Sequence, residues 1–216
     1  VIIQNIAHRL ELFLSEDGDN VSREITMGIE TLLKEMDKSD DRICQNAELY
    51  FQKHNIHSIL THSRSSAVEY TLSRLGKSGV LSSLICTESR PLNEGVTMAN
   101  ALCKDIKTTV IADALADGVM DECNCVILGA DAVDKSGNIL NKIGSRLIAL
   151  SAKDHGISVI CLAGSMKIHP QLNVEELSGG FHSGSELGHV LNKNVSIRNQ
   201  YFEIVESGLI TKIISD

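Results

Sequence analysis

Residues 125–156 read CVILGADAVDKSGNILNKIGSRLIALSAKDHG. A short apolar run, Val126, Ile127 and Leu128, stops at Gly129-Ala130-Asp131, and Asn141-Lys142-Ile143-Gly144 comes ten residues later. Beyond it, apolar Leu147, Ile148, Leu150 and Ala152 fall on one side of a helical wheel, with Arg146, Lys153 and Asp154 on the other. The stretch predicts strand, loop and helix, the helix opening at Lys142 or Ile143 and ending at about residue 155. Asp131 is then at the carboxyl end of a buried strand, and Asn141 and Lys142 lie at or just before a helix amino terminus. The unpaired N–H groups and positive dipole end of a helix start suit a phosphate. One carboxylate facing such a clamp is a framework for sugar-phosphate chemistry. Taken alone, the same residues serve equally as a turn cap and a solvated lysine.

The same grammar extends outward from this stretch. Strands are predicted at 59–61, 80–86, 108–112, 126–128 and 158–162, with helices at 67–75, 95–103 and 114–122 between them. Such alternation means a parallel sheet with helices on both faces and right-handed crossovers. Residues 1–53 carry only helical patterns. Ile2, Ile3, Ile6, Leu10, Phe13 and Leu14 form one stripe, ended by a break at 17–20. Ser22 can cap a second helix with Ile25, Ile29, Leu32, Leu33 and Met36 on its apolar face. A second break at 39–41 precedes a third helix carrying Ile43, Ala47, Leu49 and Phe51. After 162 the pattern loosens into a glycine-rich loop at 179–184, a last short strand or extended segment at 202–205 and a terminal helix at 209–214.

Composition excludes several functions. Apolar residues make up 43% of 216, enough for a substantial core. No apolar run reaches the roughly 18 residues of a membrane span. Residues 2–14 include His8, Arg9 and Glu11, an amphipathic helix and not a signal peptide. The chain opens at Val1 and not at Met, which points to processing or to a piece of a longer chain. A net charge of −8 without a Lys/Arg cluster argues against direct nucleic-acid binding. With no Trp, four Phe and three Tyr, a base-stacking platform is also unexpected. Cys44, Cys86, Cys103, Cys123, Cys125 and Cys161 form no CxxC pair and no zinc spacing. They read as reduced thiols, mostly buried, and so as a cytoplasmic protein.

Ligands of open parallel sheets bind outside the carboxyl ends of the strands. The predicted ends carry His62, Ser63, Arg64, Ser65 and Ser66; then Glu88, Ser89, Arg90 and Glu94; then Asp113; then Asp131, Asn141 and Lys142; then Lys167 and His169. Each has a plainer use. Ser65 or Ser66 can cap a helix, His62 can satisfy a turn, Arg90 can pair with Glu88, and Asp113 can cap the next helix. The concentration of Arg64, Arg90, Lys142 and Lys167 at strand ends of an acidic chain is what points to a phosphorylated ligand. These groups form no recognisable metal-ligand set, and no glycine-rich dinucleotide turn is present, so no cofactor is expected.

The motifs THSRSS (61–66), ESRPLNEG (88–95), ADALADGVM (112–120), GADAV with GNILNKIGS (129–145) and SMKIHP (165–170) occur in this order. Together with the end, NQYFEIVESGLITKIISD, they resemble the superfamily that joins the alpha, beta and delta subunits of eukaryotic translation initiation factor 2B with methylthioribose-1-phosphate isomerase and ribose-1,5-bisphosphate isomerase. The resemblance spans roughly three quarters of the chain. It implies an α/β fold: an N-terminal helical segment at 1–56, then a Rossmann-like parallel-sheet domain with helices on both faces at 57–216. It makes Asp131 the residue that shuttles a proton between sugar oxygens. Asn141 and Lys142 become the pair that holds the phosphorylated substrate, and Lys167 a further substrate lysine. Arg90 and Glu94 fall in the loop that closes over the sugar, Glu94 at a position often held by Gln.

Two features depart from the family pattern. Ser63 stands where the isomerases place a cysteine, and a serine hydroxyl is a far weaker acid than a thiol. No arginine-glycine phosphate motif precedes His57. Two functions are therefore open. One is an isomerase of a phosphorylated pentose working through Asp131 with Ser63. The other is a non-catalytic regulatory subunit or metabolite sensor acting through oligomer contacts. Either implies a phosphorylated sugar or nucleotide-derived small molecule as ligand, a homodimer or higher oligomer, and neither nucleic acid nor membrane as partner.

Overall fold

A computed structural model describes residues 6, 10, 21–168, 174, 180–188, 192 and 194–216. The apolar stripe at 2–14, apart from helical Ile6 and Leu10, and the break at 17–20 lie outside them, as do residue 179 and His169. The elements are α1 (Val21–His54), β1 (Ser58–Thr61), α2 (Ser66–Lys77), β2 (Ser83–Thr87), α3 (Glu94–Leu102), β3 (Lys107–Ile111), β4 (Cys125–Leu128), β5 (Ala132–Val133), β6 (Ile139–Lys142), α4 (Ser145–Asp154), β7 (Ser158–Leu162), β8 (Phe202–Val205) and β9 (Lys212–Ile214).

Six strands form a parallel sheet in the order β3-β2-β1-β4-β7-β9. Each central strand buries alternate residues on opposite faces, as the pleat requires. Ile59, Leu84, Cys125, Ile127, Ile160 and Leu162 face the side covered by α1, α2 and α3, where they meet Phe51, Val68, Leu72 and Met98. Leu60, Ile85, Val126, Leu128, Val159 and Cys161 face the other side, against Ile148, Ala149 and Ala152 of α4 and Met120. Because both faces are covered, these strands read as continuous apolar runs. The predicted α/β class, with helical sequence ahead of a doubly covered parallel sheet, is the architecture observed.

Four local predictions are corrected. The break at 39–41 is absent: α1 is one helix of 34 residues. Ser and Asp break helices when their side chains turn back on the local backbone, whereas Asp41 accepts bonds from Tyr70 and Arg74 of α2. The helix predicted at 114–122 is two 3-10 segments, Asp113–Leu115 and Asp117–Glu122. Gly118 lies inside it, and a mid-helix glycine costs about 1 kcal/mol. Asn141 and Lys142 are on β6 and not at a helix start; α4 opens at Ser145, after Gly144 turns the chain at φ 102°. Phe202–Val205 is a strand, as expected, and it pairs antiparallel with β6 in a second, three-stranded sheet, β5-β6-β8. The predicted terminal helix at 209–214 is a 3-10 turn, Ser207–Leu209, and then edge strand β9. Leu209, Ile210, Ile213 and Ile214 fit helical spacing as well as a buried strand, and pairing of β9 with β7 decides between them.

The 3-10 segment at Asp117–Glu122 is clamped to α4. His155, at the α4 carboxyl end, bonds Asp121 through Nδ1 at 2.9 Å and lies 3.5 Å from Asp117 through Nε2. The hydrogen bond to Asp121 holds the imidazole above its ordinary range. A raised folded-state value stabilises the protein below the unfolded-state pKa, and that contribution fades as pH rises through the folded value. An NMR titration of His155 is expected to give a pKa above 6.5. Between about pH 6 and 8 the thermal midpoint of wild type should fall further than that of His155→Gln.

Candidate functional site at the strand ends

The sheet reverses its winding between β1 and β4, and the chain leaves these neighbours toward opposite faces. That divergence opens a crevice at their carboxyl ends. Glycines let the backbone close around it. A Cβ on Gly95 would fall 1.8 Å from the Thr87 carbonyl oxygen, so only glycine lets α3 start this close to the end of β2. A Cβ on Gly144 would come within 3.0 Å of the His62 ring.

Lys142 projects from β6 into the interior and is 3% exposed. Its ammonium meets Glu94 Oε1 at 2.7 Å and lies 4.9 Å from the centre of the Tyr201 ring, so a carboxylate and a π face share the charge. The other oxygen of Glu94 is buried without a partner. Tyr201 is fixed in turn: its hydroxyl donates to Glu186, which pushes the phenol up to about 12, and its ring stacks on His182 at 3.5 Å. Asn141 bonds Ser145 Oγ at 2.9 Å, tying β6 to the first residue of α4.

Lys167, on the turn after β7, donates to the Ala130 carbonyl at 2.6 Å, beside Asp131. That turn is held by Asp216, whose carboxylate accepts from Ser165 N at 2.6 Å. Asp131 itself makes no hydrogen bond or ion pair through its carboxylate among the described residues. Its side chain reaches solvent, yet protein crowds the recess. Desolvation raises its pKa, Lys167 and Lys142 oppose that rise, and Glu94 adds to it. An unengaged carboxyl held above its ordinary range between two lysines suits proton transfer to and from a bound ligand.

Four of the predicted residues thus converge: Asp131, Lys142, Lys167 and Glu94. Ser63 and Arg90 do not join them by direct contact. Ser63, at φ 67°, is held through its backbone N–H by Ser89 Oγ at 2.7 Å, and no hydrogen bond links it to Asp131. Arg90 is exposed, donates to the Glu186 carbonyl at 3.3 Å, and lines a neighbouring groove of about 560 Å³ with Asp113, Ile143 and Gly144. Arg64 is paired with Glu69. The helix amino terminus read as a phosphate cradle is also engaged: Glu203 accepts from the backbone N–H of Gly144 at 2.6 Å and of Arg146 at 2.9 Å. The buried thiols of Cys86, Cys161 and Cys123 are poor substitutes for the missing cysteine, because burial pushes the first two up to about 12 and the third to about 11. A recess of about 1090 Å³ between α1 and α2 is lined by mutually paired charges such as Arg64 and Glu69, and Asp131 is not part of its lining. Sequence reasoning missed Tyr201, Glu186 and Glu203. Only Tyr201 carried a signal, as one of three tyrosines in an aromatic-poor chain.

This fold and strand-end cluster define a doubly wound α/β protein with ionisable side chains gathered at the carboxyl ends of its strands. The chain belongs to the initiation factor 2 subunit family, whose model matches residues 2–216. It is 32% identical over 163 residues to the ribose 1,5-bisphosphate isomerase of Methanocaldococcus jannaschii, covering 74% of this chain and 53% of that one. It is 30% identical over 213 residues to the methylthioribose-1-phosphate isomerase of Oryza sativa subsp. indica, covering 87% of this chain and 57% of the relative. The chain spans about half the length of the curated relatives it matches. The solved translation initiation factor eIF-2B of Pyrococcus horikoshii OT3 superposes with a TM-score of 0.79 at 25% identity, over 98% of this chain and 74% of that one. The tetrameric eIF2B-beta2-delta2 complex of C. thermophilum shares the fold, with a TM-score of 0.77 at 22% identity over 99% and 68% of the two chains.

Removing the Glu94 carboxylate strands the Lys142 ammonium against the Tyr201 ring alone. Glu94→Ala is expected to destabilise by about 2–3 kcal/mol in urea unfolding, below the usual cost of breaking a buried pair because Glu94 is partly exposed. The double variant Glu94→Ala/Lys142→Met should recover part of that loss, read as a coupling energy in the mutant cycle.

Proposed function

We propose that this crevice binds a phosphorylated pentose and interconverts its aldose and ketose forms. The observation that carries the reading is the placement of Asp131. It is an unengaged carboxyl held above its ordinary range, with Lys142 and Lys167 acting on it from the ends of β6 and β7. An aldose–ketose shift leaves the sugar's composition unchanged and relocates one hydrogen between carbons and one between oxygens. Asp131 is suited to the second transfer, donating from its protonated form to one ligand oxygen and accepting from its neighbour. Lys142 and Lys167 supply the cationic edge for phosphate, and Asn141 holds β6 in register with α4. The isomerase names of the relatives agree with this chemistry. With ribose 1,5-bisphosphate in deuterated water, proton NMR should show a ketose product. Asp131→Asn should lower turnover by about 100-fold or more while keeping affinity within a fewfold. Unchanged turnover in that variant sinks the assignment.

A second reading rests on Ser63. Its backbone is fixed by Ser89, it has no bond to Asp131, and a hydroxyl does not take over a thiol's acid–base work. On this reading the crevice senses the same ligand without converting it, and the NMR experiment gives broadened sugar lines and no product.

We further propose that the chain acts as a homodimer or higher oligomer in the cytoplasm. The support is an apolar face built by Leu147 (73% exposed), Leu150 and Leu115 across α4 and the first 3-10 segment. No helix of the described residues is long and apolar enough to cross a membrane. Sedimentation of wild type should report a species larger than the monomer, and Leu147→Glu should shift it toward monomer without loss of helical signal.

A further inference from the structure

We infer that His62 is a positioning residue for the Lys142 grip, holding the 142–144 turn through the Ile143 carbonyl as its uncharged Nε2–H tautomer. Its link to ligand binding rests on the proposal that the crevice takes a phosphorylated sugar.

Three observations lead to it. The first is the pattern of partners. Nε2 lies 2.8 Å from the Ile143 carbonyl oxygen, and a carbonyl only accepts, so Nε2 carries the hydrogen. Nδ1 lies 2.6 Å from Thr87 Oγ1 and therefore accepts from that hydroxyl. Thr87 Oγ1 is itself 3.2 Å from Ser89 Oγ, which also holds the Ser63 backbone N–H, so the tautomer is set by a chain of hydroxyls reaching across β1 and β2.

The second observation is burial. His62 is 3% exposed, and desolvation holds its pKa below the ordinary value. The charged groups that act on it are Asp113, whose carboxylate is 4.0 Å from Nδ1, and Lys142 and Glu94, which are paired with each other. With both ring nitrogens engaged and the ring enclosed, His62 has no lone pair open to a ligand and is not a general base.

The third observation is what the bond secures. The Ile143 N–H donates to the Tyr201 carbonyl at 2.8 Å, so His62 on the Ile143 carbonyl closes the other side of the same residue. Lys142 immediately precedes it. Gly144 comes next at φ 102°, with room for no Cβ above the imidazole. The ring thus supports the turn from below while Tyr201 holds it from the side and stands over the Lys142 ammonium. Losing the Nε2 bond frees the peptide next to the ammonium, and a displacement of about 1 Å there is enough to weaken a positioned charge.

The test separates positioning from packing. A glutamine side chain can place its amide where Nε2 donates, whereas asparagine is too short to reach Ile143. Binding of ribose 1,5-bisphosphate is measured by calorimetry, together with amide hydrogen exchange and the ring-nitrogen NMR signals of the wild type. The wild type should show Nε2–H His62 across neutral pH. His62→Gln should bind within about threefold of wild type and His62→Asn about tenfold or more weaker. In His62→Asn, exchange at Ile143 and Gly144 should rise about tenfold or more while β1 and β4 amides hold. Should that variant fail to fold, Thr87→Val removes the hydroxyl that fills Nδ1, at nearly constant shape, and should produce the same local exchange. An Nδ1–H or charged ring in the wild type overturns the inference. So does an asparagine variant with wild-type affinity and exchange, or an exchange increase spread evenly through the sheet. A wild type that binds no ribose 1,5-bisphosphate removes the functional reading, and the tautomer and exchange results then decide the role of His62 by themselves.

Discussion

The pairing of β1 with β4 sets the rest of the molecule. Ile59, Leu60 and Thr61 register with Cys125, Val126 and Ile127, every one of them buried, and Thr61 Oγ1 adds a bond to the Ile127 carbonyl at 2.8 Å. Two parallel strands side by side need crossovers, and here those crossovers run to opposite faces of the sheet. One core forms beneath α1, α2 and α3, and the other beneath α4. Where the crossovers part, a crevice opens at the strand ends. It is a consequence of winding, and residues shortly past Thr61, Thr87 and Leu128 stand around it.

Burying a lysine there is unfavourable unless its charge is met. The fold meets it from two elements: Glu94 from the start of α3 and Tyr201 from the segment leading into β8. This explains the small second sheet. By pairing β6 with β8, it brings Tyr201 to the ammonium and Glu203 to the amino terminus of α4. The same pairing engages the helix-end donors with a carboxylate, so on the proposed reading the anion is left to the lysines and not to the dipole of α4.

The periodic core was legible in the sequence. Apolar runs such as Val126–Ile127–Leu128 identify buried strands, and the polar residues after them include Asp131, Lys142, Lys167 and Glu94, to which only the family resemblance attached roles. Features decided by contacts between distant segments were not legible. The β5–β6 hairpin turns at Asp134, whose carboxylate accepts from Ser136 and Asn138, but two-residue β5 is too short for period-two alternation to show. Residues 209–214 carry an apolar pattern compatible with helix or strand, and only the edge of β7 selects strand. Ser39, Asp40 and Asp41 look like a helix stop until α2 supplies partners for Asp41. The Glu203 cap and the Tyr201 ring join residues about sixty apart in the chain, a spacing to which no local pattern responds.

The charges of the crevice also bear on what it accepts. Lys142 is already matched by Glu94, so an incoming anion competes with a carboxylate and not with water. Glu94 keeps a second oxygen that is buried and unpartnered, and the Asp131 carboxyl makes no bond among the described residues. Inorganic phosphate at neutral pH brings mainly acceptors and answers neither of these groups. A phosphorylated polyol brings acceptors for Lys142 and Lys167 and, on the same molecule, hydroxyl donors for Glu94 and Asp131. Sites built to receive a hydroxyl reject analogues that lack it, because the group left behind is buried and unpaired. On the proposed reading, the pairing that makes Lys142 tolerable in the interior therefore also favours a sugar bearing phosphate over phosphate alone.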